Sequence, residues 1–286
     1  MRKKAVRNQL WVPIIAMTLL IAGCGTKTEP MVDTAAGSKQ QQSASPAPAP
    51  QTPVETVELT ISAAASLTDA LKEIQTVYQT KATSTKLNFN FGASGALQQQ
   101  IEQGAPADLF LSAATKNMKT LVDNQLIDAG KQKNLLTNEL VVVVPVDSKV
   151  SIGSEADLSK PEVLHVAIGI PESVPAGSYA KEALTYGKLW DSLQSRMVQG
   201  KDVRQVLQYI ETGNADAGFV YKTDALTSNK VKIAFAVDPK SYQAVEYPIG
   251  IVKSTKHGKE AEDFYNYLQS KEALDVFVKF GFTVPK

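Results

Sequence analysis

The chain has one cysteine and two histidines among its 286 residues. A single cysteine allows neither an intramolecular disulfide nor a thiolate metal cluster, so a fold of this length is held by its core alone. The two histidines, His165 and His257, are too few for a transition-metal cation site and leave a Ser-His-Asp triad poorly supplied. An excess of charge of one sign is also missing: 30 Lys and Arg stand against 29 Asp and Glu. Such a balance builds no polyanion-binding face, and nucleic acid is not expected as a partner. The main apolar run, residues 10–22, is too short for a permanent bilayer span.

That run has a purpose in its context. Arg2, Lys3, Lys4 and Arg7 precede it as a basic n-region, and it ends in Ile21-Ala22-Gly23-Cys24, which resembles the lipobox of bacterial lipoproteins. The resemblance implies a signal peptide over residues 1–23, removed ahead of Cys24, whose sulfur then carries diacylglycerol. Cys24 is thus expected to be a lipid anchor on the extracytoplasmic face of the cell membrane. Without residues 1–23, which hold four basic residues and no acid, 26 basic residues face 29 acidic ones, a formal charge of −3. Residues 24–56 are rich in Gln, Ser, Ala, Thr and Pro, including Ser45-Pro46-Ala47-Pro48-Ala49-Pro50. They are short of large apolar side chains and read as a disordered tether.

Residues 57–286 alternate short β-branched runs with amphipathic helical stretches, the pattern of parallel sheets covered by helices, and the class is α/β. Strands are expected over 57–62, 86–91, 108–112, 139–145, 163–169, 217–221, 231–236 and 246–252. Helices are expected over 70–78, 96–103, 115–124, 177–186, 203–212, 259–268 and 271–280. The run Glu139-Leu140-Val141-Val142-Val143-Val144-Pro145 is apolar without alternation, as a strand buried on both faces is. No internal repeat of fixed period is present. Two lobes with a ligand cleft between them are expected: residues 57–139 with 246–286, and residues 140–245.

In open α/β folds ligands bind beyond the carboxyl ends of the strands. The first such junction is Ala63-Ala64-Ala65-Ser66-Leu67-Thr68-Asp69, with capping-box spacing between Ser66 and Asp69, and the second is Gly92-Ala93-Ser94-Gly95. Others are the segment from Pro171 to Ser178 and Lys201-Asp202-Val203-Arg204. A helix start offers unpaired N–H groups and the positive end of a dipole, so several together can hold an anion with no charged side chain. Each serine on its own reads first as an N-cap; recurrence at successive junctions shifts the balance toward a ligand.

Four segments resemble the periplasmic molybdate-binding family: Ala63-Ala64-Ala65-Ser66-Leu67-Thr68; Gly104-Ala105-Pro106-Ala107-Asp108-Leu109-Phe110; the stretch from Val174 through Gly177-Ser178-Tyr179 to Leu184; and Phe280-Gly281-Phe282. The likeness runs in order through residues 57–286. It implies a type II periplasmic-binding-protein fold, two α/β lobes joined by two crossing strands. It also implies an oxyanion, molybdate or tungstate, held by the hydroxyls and amides of Ser66 and Ser94, the amides of Ala176 and Val203, and the Tyr221 hydroxyl. No cofactor and no enzymatic activity are implied. The expected partners are an ABC permease and its ATPase, with the binding protein itself a monomer.

Two other readings stay open. An amino-acid site would want an arginine with a carboxylate, and among the junctions only Asp202 and Arg204 offer that pair. A lipid-anchored hydrolase could use Ser94, yet G-x-S-x-G requires glycine where Ala96 stands. Asp69, Asp108 and Asp216 would repel a dianion as direct ligands and are expected to order loops or cap helices. Tyr179, Tyr186 and Tyr209 fall in helices and are set apart from Tyr221, which ends a strand.

Overall fold

A computed structural model describes residues 56–285. The basic leader, Cys24 and the tether up to residue 55 lie outside the described residues. The folded chain opens with β1 (Val57–Ala64), a 3-10 turn (Ala65–Leu67), α1 (Thr68–Lys81), β2 (Thr85–Gly92), α2 (Ser94–Glu102), β3 (Leu109–Leu111), α3 (Thr115–Asp123) and β4 (Ile127–Asn138). It crosses into β5 (Leu140–Pro145), β6 (Val166–Gly169), α4 (Pro175–Tyr186), α5 (Trp190–Leu193), β7 (Met197–Gly200), α6 (Val203–Glu211), β8 (Ala217–Tyr221), α7 (Lys222–Leu226) and β9 (Val231–Ala236). The return passes through β10 (Val245–Val252) to α8 (Gly258–Leu268) and α9 (Lys271–Lys279).

The strands make two five-stranded sheets, ordered β2-β1-β3-β10-β4 and β7-β6-β8-β5-β9. Each sheet with its helices is a lobe, and the chain passes between lobes at Asn138–Leu140 and again between β9 and β10. Neither sheet is purely parallel, contrary to expectation. β1 runs parallel to β2 and β3, and β6 to β7 and β8. β10 is antiparallel to β3 and β4, and β5 is antiparallel to β8 and β9. A parallel neighbour needs a crossover connection; β5 and β10 arrive from the other lobe without one and run against their neighbours.

Local chemistry accounts for most elements. Leu140, Val141, Val142, Val143 and Val144 are all buried, as a strand second from the sheet edge and covered by helices should be. In α6, Val203, Val206, Leu207 and Ile210 form the buried face, the i, i+3, i+4, i+7 stripe of an amphipathic helix. Two expectations fail. β4 and the short β7 are absent from the sequence reading; half of Ile127–Asn138 is exposed, and as an edge strand β4 is recruited by its ladder with β10, which shows no side-chain alternation in advance. His165, expected inside a strand, is exposed and precedes β6; the ladder begins at Val166.

Candidate functional site

Four helical N-termini meet where the lobes face each other. The 3-10 turn after β1 supplies Ser66, α2 begins at Ser94, α4 begins at Pro175, and α6 begins at Val203. Pro175 has no N–H, so Ala176 carries the first donor of α4 and has no acceptor within the helix. In α6 the Asp202 carboxylate accepts from the Gln205 amide at 2.9 Å, which leaves the Val203 amide among the unpaired donors of that helix start. Tyr221 ends β8. Ser66, Ser94, Ala176, Val203 and Tyr221 all line one cavity with about 200 Å³ of empty space.

Both serines escape the N-cap reading. α1 is preceded by Leu67 and α2 by Ala93, and neither helix has a side-chain cap. The capping-box spacing of Ser66 and Asp69 is therefore not realised, because a 3-10 turn stands between β1 and α1 and Asp69 is paired elsewhere. Ser66 Oγ lies 2.9 Å from Tyr247 Oη. Ser94 Oγ accepts from the Ala113 amide at 2.9 Å; with that lone pair used, its own hydrogen is free for another acceptor.

Tyr221 is 1 % exposed, and its hydroxyl is buried without a hydrogen-bond partner among the described residues. Buried hydroxyls are normally satisfied, and an orphan at a cavity wall points to a ligand atom. Burial pushes the phenol well above its ordinary pKa, so it remains a donor. The lining side chains are Ala, Ser, Gly, Val, Pro and Tyr, with no charge among them. Hydroxyls and amides suit an anion that carries no proton of its own.

Charged groups beside the starts of α1 and α6 are engaged with one another. Arg204 Nη2 of the second lobe meets Asp69 Oδ2 of the first at 2.6 Å, and its Nη1 donates to Thr227 Oγ1 at 3.0 Å. Arg204 Nε lies 2.8 Å from Asp224 Oδ1, a charge contact whose alignment misses hydrogen-bond geometry. Asp224 is fully buried; burial raises its pKa to about 6, opposed by Arg204. The Asp202–Arg204 pair that an amino-acid site would need is thus spent, on a helix cap and on a bridge between lobes. The lobes also touch where the Gly95 amide donates to the Ser173 carbonyl at 2.9 Å and Tyr179 Oη donates to the Ala113 carbonyl at 3.3 Å.

The hydrolase reading finds no histidine beside Ser94: His165 is exposed ahead of β6 and His257 is the residue before α8, and neither lines the cavity. Asp108 accepts from the Thr60 amide at 2.7 Å and Asp216 from the Leu164 and His165 amides, each at 2.8 Å; both order loops. Ala113, Tyr247 and Asn138 escaped the sequence reading. The rule applied to the other strand ends would have found Ala113, two residues past the end of β3. Nothing local marks Tyr247, a buried position of β10.

Residues 59–283 match the family model described as bacterial extracellular solute-binding protein. The lipoprotein YvgL of Bacillus subtilis (strain 168), named for ABC-transporter substrate binding, is 53 % identical over 227 residues, covering 79 % of this chain and 86 % of that protein. The molybdate-binding protein ModA of Haemophilus influenzae is 39 % identical over 232 residues, covering 79 % of this chain and 90 % of its own. The periplasmic molybdate-binding protein of Azotobacter vinelandii superposes with a TM-score of 0.73 at 24 % identity, over 80 % of this chain and all of that one, a likeness of fold.

Proposed function

This chain belongs to the bacterial extracellular solute-binding protein family, and from that membership we propose that it binds molybdate, and also tungstate, and delivers the anion to an ABC permease driven by its ATPase. The observation that carries the reading is that Ser66, Ser94, Ala176, Val203 and Tyr221 line one small cavity with neutral donors and no charged side chain. A bare tetrahedral dianion needs donors alone. Hydrogen phosphate must donate a proton as well, and a donor-only wall leaves that proton unpaired. Sulfate is smaller than molybdate and would leave its donors stretched.

In this reading residues 57–139 with 246–286 and residues 140–245 are the bodies that close on the anion, each supplying part of its shell. Affinity for the closed state drives the closure. Cys24 holds the chain at the outer face of the membrane, the tether gives it reach, and it works as a monomer without a cofactor and without catalysis.

Calorimetric titration of the chain from residue 57 with molybdate, tungstate, sulfate and hydrogen phosphate tests the proposal. Tight one-to-one binding of the first two is expected, and silence toward both would overturn it. Ser66→Ala and Ser94→Ala should each weaken molybdate by roughly 1–3 kcal/mol. Ser94→Ala should also lower stability, since the Ala113 amide loses its acceptor.

Tyr221→Phe should separate binding from stability. Removing a buried, unpartnered hydroxyl is expected to stabilise the ligand-free chain by about 1 kcal/mol while weakening molybdate by about 1.5–3 kcal/mol. Thermal melts with and without molybdate read both signs; a variant that is less stable without ligand would mean that the hydroxyl has a partner inside the fold.

A further inference from the structure

The Ser66 hydroxyl could face an anion either as donor or as acceptor, and the residues behind it decide which. Asn138 closes β4 at the crossing between lobes, and its Oδ1 accepts from the Glu139 amide at 2.9 Å. A backbone amide only donates, so this bond fixes the orientation of the Asn138 side chain and assigns its nitrogen to the other side. That nitrogen donates to Thr223 Oγ1 in the second lobe at 2.9 Å and to Tyr247 Oη in the first at 3.2 Å. Tyr247 is buried in β10, and its only other hydrogen-bond partner among the described residues is Ser66 Oγ at 2.9 Å.

A phenol has one hydrogen. With Asn138 donating into its oxygen, Tyr247 satisfies that hydrogen by giving it to Ser66; the reverse arrangement would bury an unpaired donor. Ser66 then accepts from Tyr247 and has its own hydrogen left for the cavity. We propose that Asn138 and Tyr247 are positioning residues for the anion site, a relay that holds Ser66 as an obligate donor and so sets the discrimination between bare and protonated oxyanions. The proposal deepens the molybdate reading and rests on it. Ser94 reaches the same state by a shorter route, through the Ala113 amide, so both hydroxyls are polarised toward the ligand from behind. The relay also ties the site to the crossing and to α7, because Asn138 bridges Thr223 and Tyr247.

Tyr247→Phe tests this with little cost to the fold, since the ring keeps its edge contacts with Tyr221 at 5.9 Å and Phe282 at 5.3 Å. Molybdate titrations of four proteins, the unmodified chain, Tyr247→Phe, Ser66→Ala and the double variant, form a cycle. The expected result is a loss of about three- to tenfold for Tyr247→Phe in the unmodified background, and less than about twofold in the Ser66→Ala background, because the relay acts through that hydroxyl alone. The preference for molybdate over hydrogen phosphate should narrow in Tyr247→Phe, as the released Ser66 oxygen can now accept a proton. Equal losses in both backgrounds, or no loss in the first, would overturn the relay while leaving the binding function intact. An unmodified chain that binds neither molybdate nor tungstate would instead overturn the functional reading beneath it.

Discussion

Arg204→Met is expected to lower the unfolding free energy by about 1–2.5 kcal/mol near neutral pH, because an Asp224 left without its cation can take up a proton, which caps its share at about 1.4 kcal/mol for the one unit between pH 7 and a folded pKa of about 6. The loss comes from Asp224 more than from the exposed side of the bridge. Asp224 is fully buried, and Arg204 is the positive group that opposes its desolvation. Asp69, on the other lobe, is partly exposed, and its bond to Arg204 adds at most about 1 kcal/mol.

The same variant should show a diagnostic pH dependence. Asp224 has its folded pKa raised from 3.8 to about 6, so protonation favours the folded state. Its contribution to stability is fully present below the unfolded value and is lost as pH rises through the folded one. Without Arg204 the folded pKa climbs further, and the extra penalty is felt at neutral pH but not once Asp224 is protonated. The gap between the two proteins should therefore shrink as pH falls from about 7 toward about 4. Other carboxylates, such as Asp157, whose pKa is held down to about 2 by Lys160 and the Gly153 amide, titrate alike in both proteins and cancel in the difference. Urea melts across this range check it; a gap that stays constant or widens in acid would mean that Asp224 is not the group left unpaired.

Gly177→Ala should damage stability and binding together. A Cβ at 177 would lie 2.0 Å from the Gly169 carbonyl oxygen and 2.4 Å from its carbon. Those atoms belong to the end of β6, and a strand backbone cannot turn aside as a side-chain tip can. The first turn of α4 must then move off the sheet and take the Ala176 amide with it. Overpacking of this kind costs about 3 kcal/mol or more, and molybdate affinity should fall at least tenfold. Gly130→Ala serves as the control, since nothing lies within 4 Å of its added carbon and a change below about 0.5 kcal/mol is expected. A Gly177→Ala protein that melts and binds like the unmodified chain would show that β6 and α4 are not in rigid contact.

The elements legible in the sequence are those whose cause is local. The strand from Leu140 to Val144 announces itself by an apolar run, α6 by the spacing of Val203, Val206, Leu207 and Ile210, and the helix starts at Ser94 and Val203 by the break between the two periods. β4 does not, because an exposed edge strand takes its conformation from the partner it bonds to. The likeness of the two lobes was equally hidden. Both sheets place three parallel strands, then an incoming antiparallel strand, then an edge strand, yet no sequence period records it, since topology constrains hydrophobic pattern and not residue identity.

For the site the division is similar. Position at a strand end marked Ser66, Ser94 and the junctions ahead of α4 and α6, because a helix start carries its unpaired amides wherever it lies; that Ala176, Val203 and Tyr221 join them was implied by the resemblance to the molybdate-binding family. What each hydroxyl is free to do depended on groups far away along the chain: Tyr247 stands 181 residues from Ser66, and Arg204 stands 135 from Asp69. The sequence by itself therefore determined the α/β class, the recurrence of serine at helix starts, and a composition with two histidines, one cysteine and nearly balanced charge. Only the tertiary structure decided that these five residues share one cavity, that Arg204 bridges the lobes, and that Ser66 is backed by a phenol. Helix and strand signals arise within a few residues, whereas the direction of a hydroxyl and the fate of a buried charge are set by whichever distant groups packing brings within 3 Å.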